Sequence, residues 1–195
     1  MSYRAPRRPD RRGDVADASA EPSAAQGIPW AEVFRKAPGS ALLATGLGSG
    51  LLPKAPGTWG SLLAVLLAEG LYRWSGLAGV LGLAAVSTLL GVPSAGRVAA
   101  LRGRKDPSEV VIDEVAGQAV ALCLLLAALP ASASDPLRWG LAALAFGLFR
   151  FFDIAKPGWI DRLQALPGGW GVMADDLLAG LFAGILAASA AFLLT

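Results

Sequence analysis

The sequence predicts an all-α protein, a multi-helix membrane-embedded bundle whose cytoplasmic loops form an active site. The first observation is composition, since 54% of the 195 residues are hydrophobic and only 16% are charged, with a mean hydropathy of +0.53. A typical soluble domain carries about 25% charged residues. The second observation is that the apolar residues are grouped into long stretches. The third is that the charges between those stretches fall mostly on one side.

Five apolar stretches are candidates for helices. Most are shorter than the roughly 20 residues that a spanning helix needs, so the number of spans stays open. The first two lie so close together that they form either a tight hairpin or one broken element. The stretches run roughly over 61–74, 77–92, 115–130, 138–152 and 177–194.

The chain is long enough for one domain, which a polar tail precedes. Residues 1–28 are rich in Arg, Asp, Ala, Ser and Pro, a composition that predicts disorder. They lack the apolar run of a secretory signal peptide. The five arginines of the tail either touch anionic lipid or are solvated on the cytoplasmic side. Residues 29–195 are expected to form the membrane domain, and outside the tail nothing indicates nucleic-acid binding.

The charged residues predict the orientation. If the five stretches alternate across the membrane, all but two of the 17 Lys and Arg residues lie on one side. The positive-inside rule assigns that side, with the N-terminus, to the cytoplasm. The exceptions are Arg73 and Arg138. Acids contribute little to orientation, yet after the tail only Glu69 and Asp135 lie elsewhere. Three loops therefore bring carboxylates to one membrane surface, which indicates a functional site.

The absence of histidine excludes several kinds of chemistry. A histidine nucleophile, a Ser-His-Asp triad and a His-ligated zinc site are all impossible. The one cysteine, Cys123, lies in an apolar run without the arginine of a Cys-x5-Arg phosphatase. It is therefore interpreted as a core or lipid-facing residue.

The segment DPSEVVIDEVAGQ, which begins at Asp106, predicts a helix entry rich in acids. Asp106 is expected to be the N-cap, the following proline the first helical residue, and Glu109 the third member of a capping box. The helix dipole alone explains acids at such an end. It explains Asp113 and Glu114 less well, because they lie deeper and adjoin the apolar run.

Two further segments place charged residues at helix ends. In FRFFDIAKPGWIDR, Arg150, Asp153 and Lys156 are spaced by three and share a helix face, and the following proline ends the helix. The two cations either complement the helix dipole or clamp a phosphate, with Asp153 as a metal ligand or general base. In GGWGVMADDLLAG, the tandem pair Asp175 and Asp176 begins the last apolar helix.

The segment LLPKAPGTWGS is a glycine-rich loop that offers Lys54, Thr58 and Ser61 as donors to a phosphate. It lacks the end of a Walker motif, and an ordinary loop has the same composition. Small residues such as Gly117 and Gly180 continue the acidic segments, which lets their helices approach neighbours closely.

Together these side chains are typical of a site for a hard cation. Carboxylate oxygens without His or Cys ligands suit Mg²⁺, which commonly bridges carboxylates and substrate phosphates. Such an ion offsets the charge of phosphoryl oxygens and activates water, while Lys and Arg hold the phosphate.

The sequence resembles the phosphatidylglycerophosphatase A family on DPSEVVIDEVAGQ, FRFFDIAKPGWIDR and GGWGVMADDLLAG, and on a longer form of the glycine-rich segment, ATGLGSGLLPKAPGTWGS. The four occur in the family's order across residues 44–184. The resemblance implies an all-helical enzyme of the bacterial inner membrane that uses Mg²⁺ to hydrolyse phosphatidylglycerophosphate to phosphatidylglycerol. Some members carry a histidine where this chain has Pro167, so a mechanism that requires that histidine is excluded here. The family's acidic groups correspond to Asp113, Glu114, Asp153, Asp175 and Asp176, with Lys156 as a phosphate contact.

The hypothesis gives each residue a role. It leaves open the number of metal ions, the choice between a phosphoenzyme and direct attack by water, the acyl-chain preference and the oligomeric state. Asp153 orients or deprotonates the attacking water. The expected metal ligands are Asp113, Glu114, Asp175 and Asp176. The expected phosphate contacts are Arg150, Lys156, Lys54 and Thr58.

Two other classes of protein fit fewer of these observations. A transporter or channel also carries intramembrane carboxylates, but it would place them at mid-helix and divide them between access routes. A structural scaffold would not need acids on three separate elements.

Overall fold

The computed structural model describes residues 27–195, which form helices and loops with no strand. All five predicted apolar stretches are helical, which confirms the all-α fold. Apart from residues 27 and 28, the predicted disordered tail lies outside the described residues. The helices are α1 Trp30–Lys36, α2 Pro38–Ala44, α3 Pro56–Ser75, α4 Leu77–Arg102, α5 Ile112–Ala128, α6 Asp135–Ala155, α7 Trp159–Leu163 and α8 Trp170–Leu194, with a 3₁₀ turn at Ser49–Leu51.

Helices α3 and α4 form a hairpin, which decides between the two alternatives that the sequence left open. Only Gly76 separates them, and its φ of 64° is a conformation that glycine adopts without steric cost. Its amide closes α3 by donating to the carbonyl of Tyr72 across 2.8 Å. The two helices then pack against each other.

Helix α5 begins at Ile112, so the predicted start five residues earlier was wrong. Residues 103–111 form a loop instead. Glu109 does not complete a capping box, because its carboxylate accepts a hydrogen bond from Trp30 Nε1 across 2.8 Å. The amide of Val111 is also bonded to a distant carbonyl, at the end of α2. These long-range bonds compete successfully with the local helical pattern.

Close packing of α5 on α8 forms the centre of the bundle. A Cβ on Gly117 would overlap the backbone carbonyl of Asp176, and one on Gly180 would overlap the backbone of Gly117. A Cβ on Gly184 would meet Ala121 at 3.0 Å. The predicted close approach at small residues is confirmed, and it fixes the start of α8 beside the start of α5.

Two of the described helices are long and apolar enough to cross a membrane. They are α4, with 26 residues, and α8, with 25. Both direct large apolar side chains outward, for example Leu89, which is 72% exposed, and Phe192, which is 79% exposed. Extended apolar surface of this kind is rare on soluble monomers. Length and exposure therefore favour membrane association, whereas the number of spans stays a prediction.

The four charged residues that the sequence analysis placed apart from the others form one network at the end of the bundle opposite the acidic loops. Arg73 lies 2.6 Å from Glu69 and 3.2 Å from Asp135. Arg138 lies 3.0 Å from Glu69 and 2.8 Å from Asp135. Arg73 and Arg138, the two cations predicted to lie on the other side of the membrane, are thus each paired with both acids predicted to lie there.

Candidate active site

One end of the bundle holds a cavity of about 240 Å³. Five parts of the chain surround it: the start of α3, the loop before α5, the start of α5, the end of α6 and the start of α8. All four sequence segments predicted to act together therefore contribute. The walls are formed by Ala55, Pro56, Gly57, Asp106, Ser108, Val110, Asp113, Glu114, Arg150, Asp153, Lys156 and Asp176.

Three carboxylates converge in this cavity. Asp113 and Glu114 lie in the first turn of α5, where the helix dipole favours negative charge, and Asp176 lies near the start of α8. One oxygen from each lies within 4.8 Å of the others. Asp113 is 6% exposed and Asp176 is 3% exposed. The geometry is that of an oxygen-only ligand set.

The donor set fits a divalent cation, because several of its buried oxygens lack partners. Among the described residues, Asp113 Oδ1, Glu114 Oε2 and Asp176 Oδ2 have no hydrogen bond. A buried carboxylate without a counter-charge is strongly destabilising. A hard cation that binds three carboxylate oxygens removes that penalty, and Mg²⁺ prefers such ligands.

Asp175 lies outside this group and is instead paired with Lys156. The Nζ of Lys156 donates to Asp175 Oδ2 across 2.6 Å, and Asp175 Oδ1 has no partner among the described residues. Burial acts to lower the pKa of Lys156, but the hydrogen bond to Asp175 and the charges of Asp176 and Asp153 outweigh it, so the pKa is raised. Lys156 therefore stays cationic.

Helix α6 ends where the sequence predicts, at Ala155 before Lys156. Lys156 has a φ of 39°, and this turn brings its ammonium back to the cavity. Earlier in α6, Arg150 pairs with Asp153 at 2.5 Å and lies 3.8 Å from Glu114. Both predicted phosphate-binding cations are thus present, each held by an acid.

The glycine-rich loop contributes its backbone rather than the two predicted side chains. Lys54 is exposed and Thr58 is half-buried, and neither lines the cavity. Gly57 lies against the site instead, since a Cβ there would overlap the Glu114 carboxylate and come within 2.9 Å of Arg150 Nη1. The sequence analysis missed this role, although the spacing of glycines at the helix start was a signal for a close backbone approach.

The sequence analysis predicted Asp106 only as an N-cap and gave Gln118 no role, although both are polar residues near the site. Asp106 lines the cavity although it reaches solvent, and partial desolvation raises its pKa, opposed by Lys156 and assisted by Asp175 and Asp153. Gln118 lies one turn after Glu114 and is fully buried. Neither polar atom of its amide has a partner among the described residues.

Comparison with known proteins identifies the family. Residues 42–191 match the sequence model of the family described as Phosphatidylglycerophosphatase A. The chain belongs to the phosphatidylglycerophosphatase A family. Membership confirms the predicted resemblance and the predicted enzyme class, a lipid phosphatase.

Relatives in three bacteria support this membership. The chain is 40% identical over 146 residues to "Phosphatidylglycerophosphatase A" of Haemophilus influenzae, covering 74% of this chain and 84% of that protein. It is 37% identical over 153 residues to the Escherichia coli protein of the same name, covering 74% and 80%. It is 39% identical over 153 residues to "Putative phosphatidylinositol-3-phosphatase" of Bacteroides thetaiotaomicron, covering 76% and 91%. No solved structure matches the chain.

Proposed function

We propose that the protein hydrolyses phosphatidylglycerophosphate to phosphatidylglycerol and inorganic phosphate, with Mg²⁺ bound by Asp113, Glu114 and Asp176. The observation that carries the proposal is the convergence of these three buried carboxylates, with unpartnered oxygens, in a cavity that also contains two cations. Acids that bind a divalent metal beside Arg and Lys are suited to a phosphate monoester.

The metal ligands are proposed to be the three converging carboxylates, and Asp175, which lies outside that group, is proposed to orient Lys156. Mg²⁺ held by these three carboxylates would supply positive charge beside the phosphate and would favour the deprotonation of water. The close packing of Gly117 on Asp176 holds the two halves of the ligand set together. Without a cation, repulsion between the buried acids opposes that packing.

The phosphate is bound by Arg150 and Lys156, which reach the cavity from the end of α6. Both are already paired with acids, so they are pre-oriented and lose little side-chain freedom on binding. The backbone at Gly57 forms the part of the wall beside Arg150, where only a residue without a side chain leaves room for Glu114. Lys54 in the loop and Thr58 in the first turn of α3 do not line the cavity, and they stay proposed as phosphate contacts.

Asp153 is proposed to orient the attacking water and to accept its proton. Water adds to phosphorus, the bond between phosphorus and the glycerol oxygen breaks, and that oxygen takes up a proton as phosphatidylglycerol leaves. The pairing of Asp153 with Arg150 keeps its carboxylate in place inside the cavity. Direct attack by water and attack by an aspartate differ in whether a phosphoenzyme forms.

The site is proposed to face the cytoplasm from a multi-pass protein of the bacterial inner membrane. The exposed cations of the loop before α5, Arg104 and Lys105, lie at the same end of the bundle as the cavity. The opposite end carries the network in which both cations are neutralised by acids. This difference in free positive charge favours the cavity end as the cytoplasmic end.

The proposal is tested by phosphate release from phosphatidylglycerophosphate in detergent, with Mg²⁺ or with EDTA. We expect Mg²⁺-dependent release by the wild type and by Glu32→Gln, a control at an acid of α1 outside the cavity, and loss in Asp176→Asn. A Mg²⁺-induced rise in melting temperature that is absent in Asp176→Asn would place the ion at this site independently of turnover. Mg²⁺-dependent release that survives in folded Asp176→Asn would move the site elsewhere, and no release by wild type would overturn the substrate.

A second candidate substrate is a phosphatidylinositol 3-phosphate, because the Bacteroides thetaiotaomicron relative named for that activity is similar over 91% of its length. The two lipids share the phosphate monoester and differ in the alcohol that carries it. Competition between the two lipids at equal concentration measures the preference directly. We expect phosphatidylglycerophosphate to have the larger kcat/KM, and the reverse order would assign the second activity.

A further inference from the structure

A second hollow, of about 470 Å³, lies beside the active-site cavity. It is formed by Phe152 at the end of α6, Pro157, Gly158, Trp159 at the start of α7, and Phe182 on α8. The Phe152 and Phe182 rings meet with centroids 5.9 Å apart and join α6 to α8. Its volume falls within the range of about 300–1,000 Å³ that small-ligand sites show.

The hollow and the cavity share one wall. Phe152 lines the hollow while the next residue, Asp153, lines the cavity; Lys156 lines the cavity while the next residue, Pro157, lines the hollow. At the second point α6 has ended, so the chain passes from the wall of the cavity to the wall of the hollow within the turn after α6. A molecule with its phosphate beside Lys156 therefore has the aromatic surface on the other side of this turn.

We propose that this aromatic hollow binds an acyl chain of the phospholipid substrate while the phosphate occupies the cavity. The proposal rests on the proposed function, since a phospholipid carries its phosphate and its acyl chains on one glycerol. Chains that leave a charged cavity avoid water either in the bilayer or on an apolar surface of the protein beside the cavity. The hollow provides that surface beside Lys156, the cation proposed to bind the phosphate.

The surroundings of the hollow are those of a membrane interface. Trp159 is 76% exposed, and Phe151 and Ile154 on the adjacent face of α6 are 61% and 72% exposed. Tryptophan is enriched where apolar and polar layers of the bilayer meet. Ile160, by contrast, is 1% exposed and packs against Ala179 and Ala183, which anchors α7 on α8. The rim of the hollow is thus fixed to the bundle, and exposed apolar side chains surround its opening.

Another apolar hollow, lined by Leu43, Leu47, Leu63 and Leu90 among others, is smaller, at about 130 Å³. It lies among α2, α3, α4 and α5. By its lining it adjoins the cavity only across a helix, since Ile112 and Val115 line it while Asp113 and Glu114 line the cavity. The aromatic hollow adjoins the cavity across α6 and also at the turn after α6. The smaller hollow provides the internal comparison for the test.

The test measures KM and kcat on long-chain and on short-chain, water-soluble phosphatidylglycerophosphate. The variants are Trp159→Ala and Phe182→Ala, alone and combined. The matched controls are Trp74→Ala, at an 84% exposed tryptophan at the end of α3, and Phe192→Ala, on α8 at the other end of the bundle. We expect the double variant to raise KM for the long-chain lipid about tenfold, equivalent to ~1.4 kcal/mol, with kcat and the short-chain kinetics unchanged and both controls like wild type.

Three results would overturn the acyl-chain assignment. One is an unchanged long-chain KM in the double variant, and another is an equal loss on both substrates, which would mean that the residues support the active site generally. The third is a rise in long-chain KM produced only by Leu90→Ala in the smaller hollow. If the wild type hydrolyses neither substrate, the proposed function fails first and the assignment fails with it.

Discussion

Lys156 Nζ lies 2.6 Å from Asp175 Oδ2, so a charge-assisted hydrogen bond joins the turn after α6 to the start of α8. The Asp175 side chain is only 3% exposed, whereas that of Lys156 is 26% exposed. The lysine therefore provides the counter-charge for an acid that water hardly reaches. Removing one partner of such a pair leaves an uncompensated charge, which costs more than removing both.

Variants of this pair distinguish the contribution of Lys156 to stability from its contribution to catalysis. We expect Lys156→Met to destabilise the folded protein by about 3–5 kcal/mol, because Asp175 is left buried and charged. Adding Asp175→Asn should restore most of that stability without restoring phosphate release, since the proposed phosphate contact is still missing. Thermal unfolding in detergent and phosphate release measure the two effects. A double variant that regains activity would show that Lys156 serves only to neutralise Asp175.

Gly57 offers a test of the site with little effect on the fold. The three atoms nearest to a Cβ at this position belong to the ends of two flexible side chains, Glu114 and Arg150. We expect Gly57→Ala to displace them and to lower kcat/KM at least tenfold, or ~1.4 kcal/mol in the barrier, with a nearly unchanged melting temperature. Gly70→Ala is the control in the same helix, because a Cβ there meets nothing within 4 Å. It should retain full activity and gain about 0.5–1 kcal/mol of stability.

Glu109 predicts a specific pH dependence of stability. Partial burial acts to raise its pKa, but the hydrogen bond from Trp30 and the charge of Arg102 outweigh burial, so the pKa in the folded protein lies below its ordinary value. Its contribution is therefore complete above the unfolded pKa of about 4.3 and is lost as the pH falls through the folded pKa. We expect acidification below about pH 4.3 to narrow the stability difference between wild type and Glu109→Gln. A difference that widens on acidification would contradict this sign.

The ionic network at the opposite end should contribute to stability and not to catalysis. Arg138 and Glu69 have side chains that are 12% and 14% exposed. Their coupling should lie between the ~0.2–1 kcal/mol of exposed pairs and the ~3–5 kcal/mol lost on breaking fully buried ones. A double-mutant cycle with Arg138→Gln and Glu69→Gln measures it by thermal unfolding. Both variants should release phosphate at the wild-type rate, and a loss of activity would show that the network reaches the site.

The start of α5 and the end of α6 show why some boundaries follow from sequence and others do not. The end of α6 depends on the proline after Lys156, a local steric effect that acts in any tertiary context. The start of α5 depends on Glu109, whose carboxylate is bonded to Trp30, 79 residues away. A capping box is worth about 1 kcal/mol, so a long-range partner displaces it. Local sequence carries no information about such a partner.

The candidate site shows the same division. The residue types and their clustering on one side came from the sequence, as did the prediction that four segments would meet. The sequence did not show which carboxylates converge in one ligand set. Asp175 and Asp176 are adjacent in sequence, but α8 directs their side chains to different partners. Asp176 joins Asp113 and Glu114, while Asp175 binds Lys156.

The sequence by itself determined the helical fold, the apolar character of the bundle and the oxygen-only chemistry of the site, since these depend on composition, periodicity and the absence of histidine. Only the tertiary structure decided that Gly57 supports Glu114, that the exceptional charges neutralise one another, and that an aromatic hollow adjoins the cavity. These relationships depend on which helix faces pack together. That packing is set by close contacts such as Gly117 on Asp176, which join residues far apart in the chain.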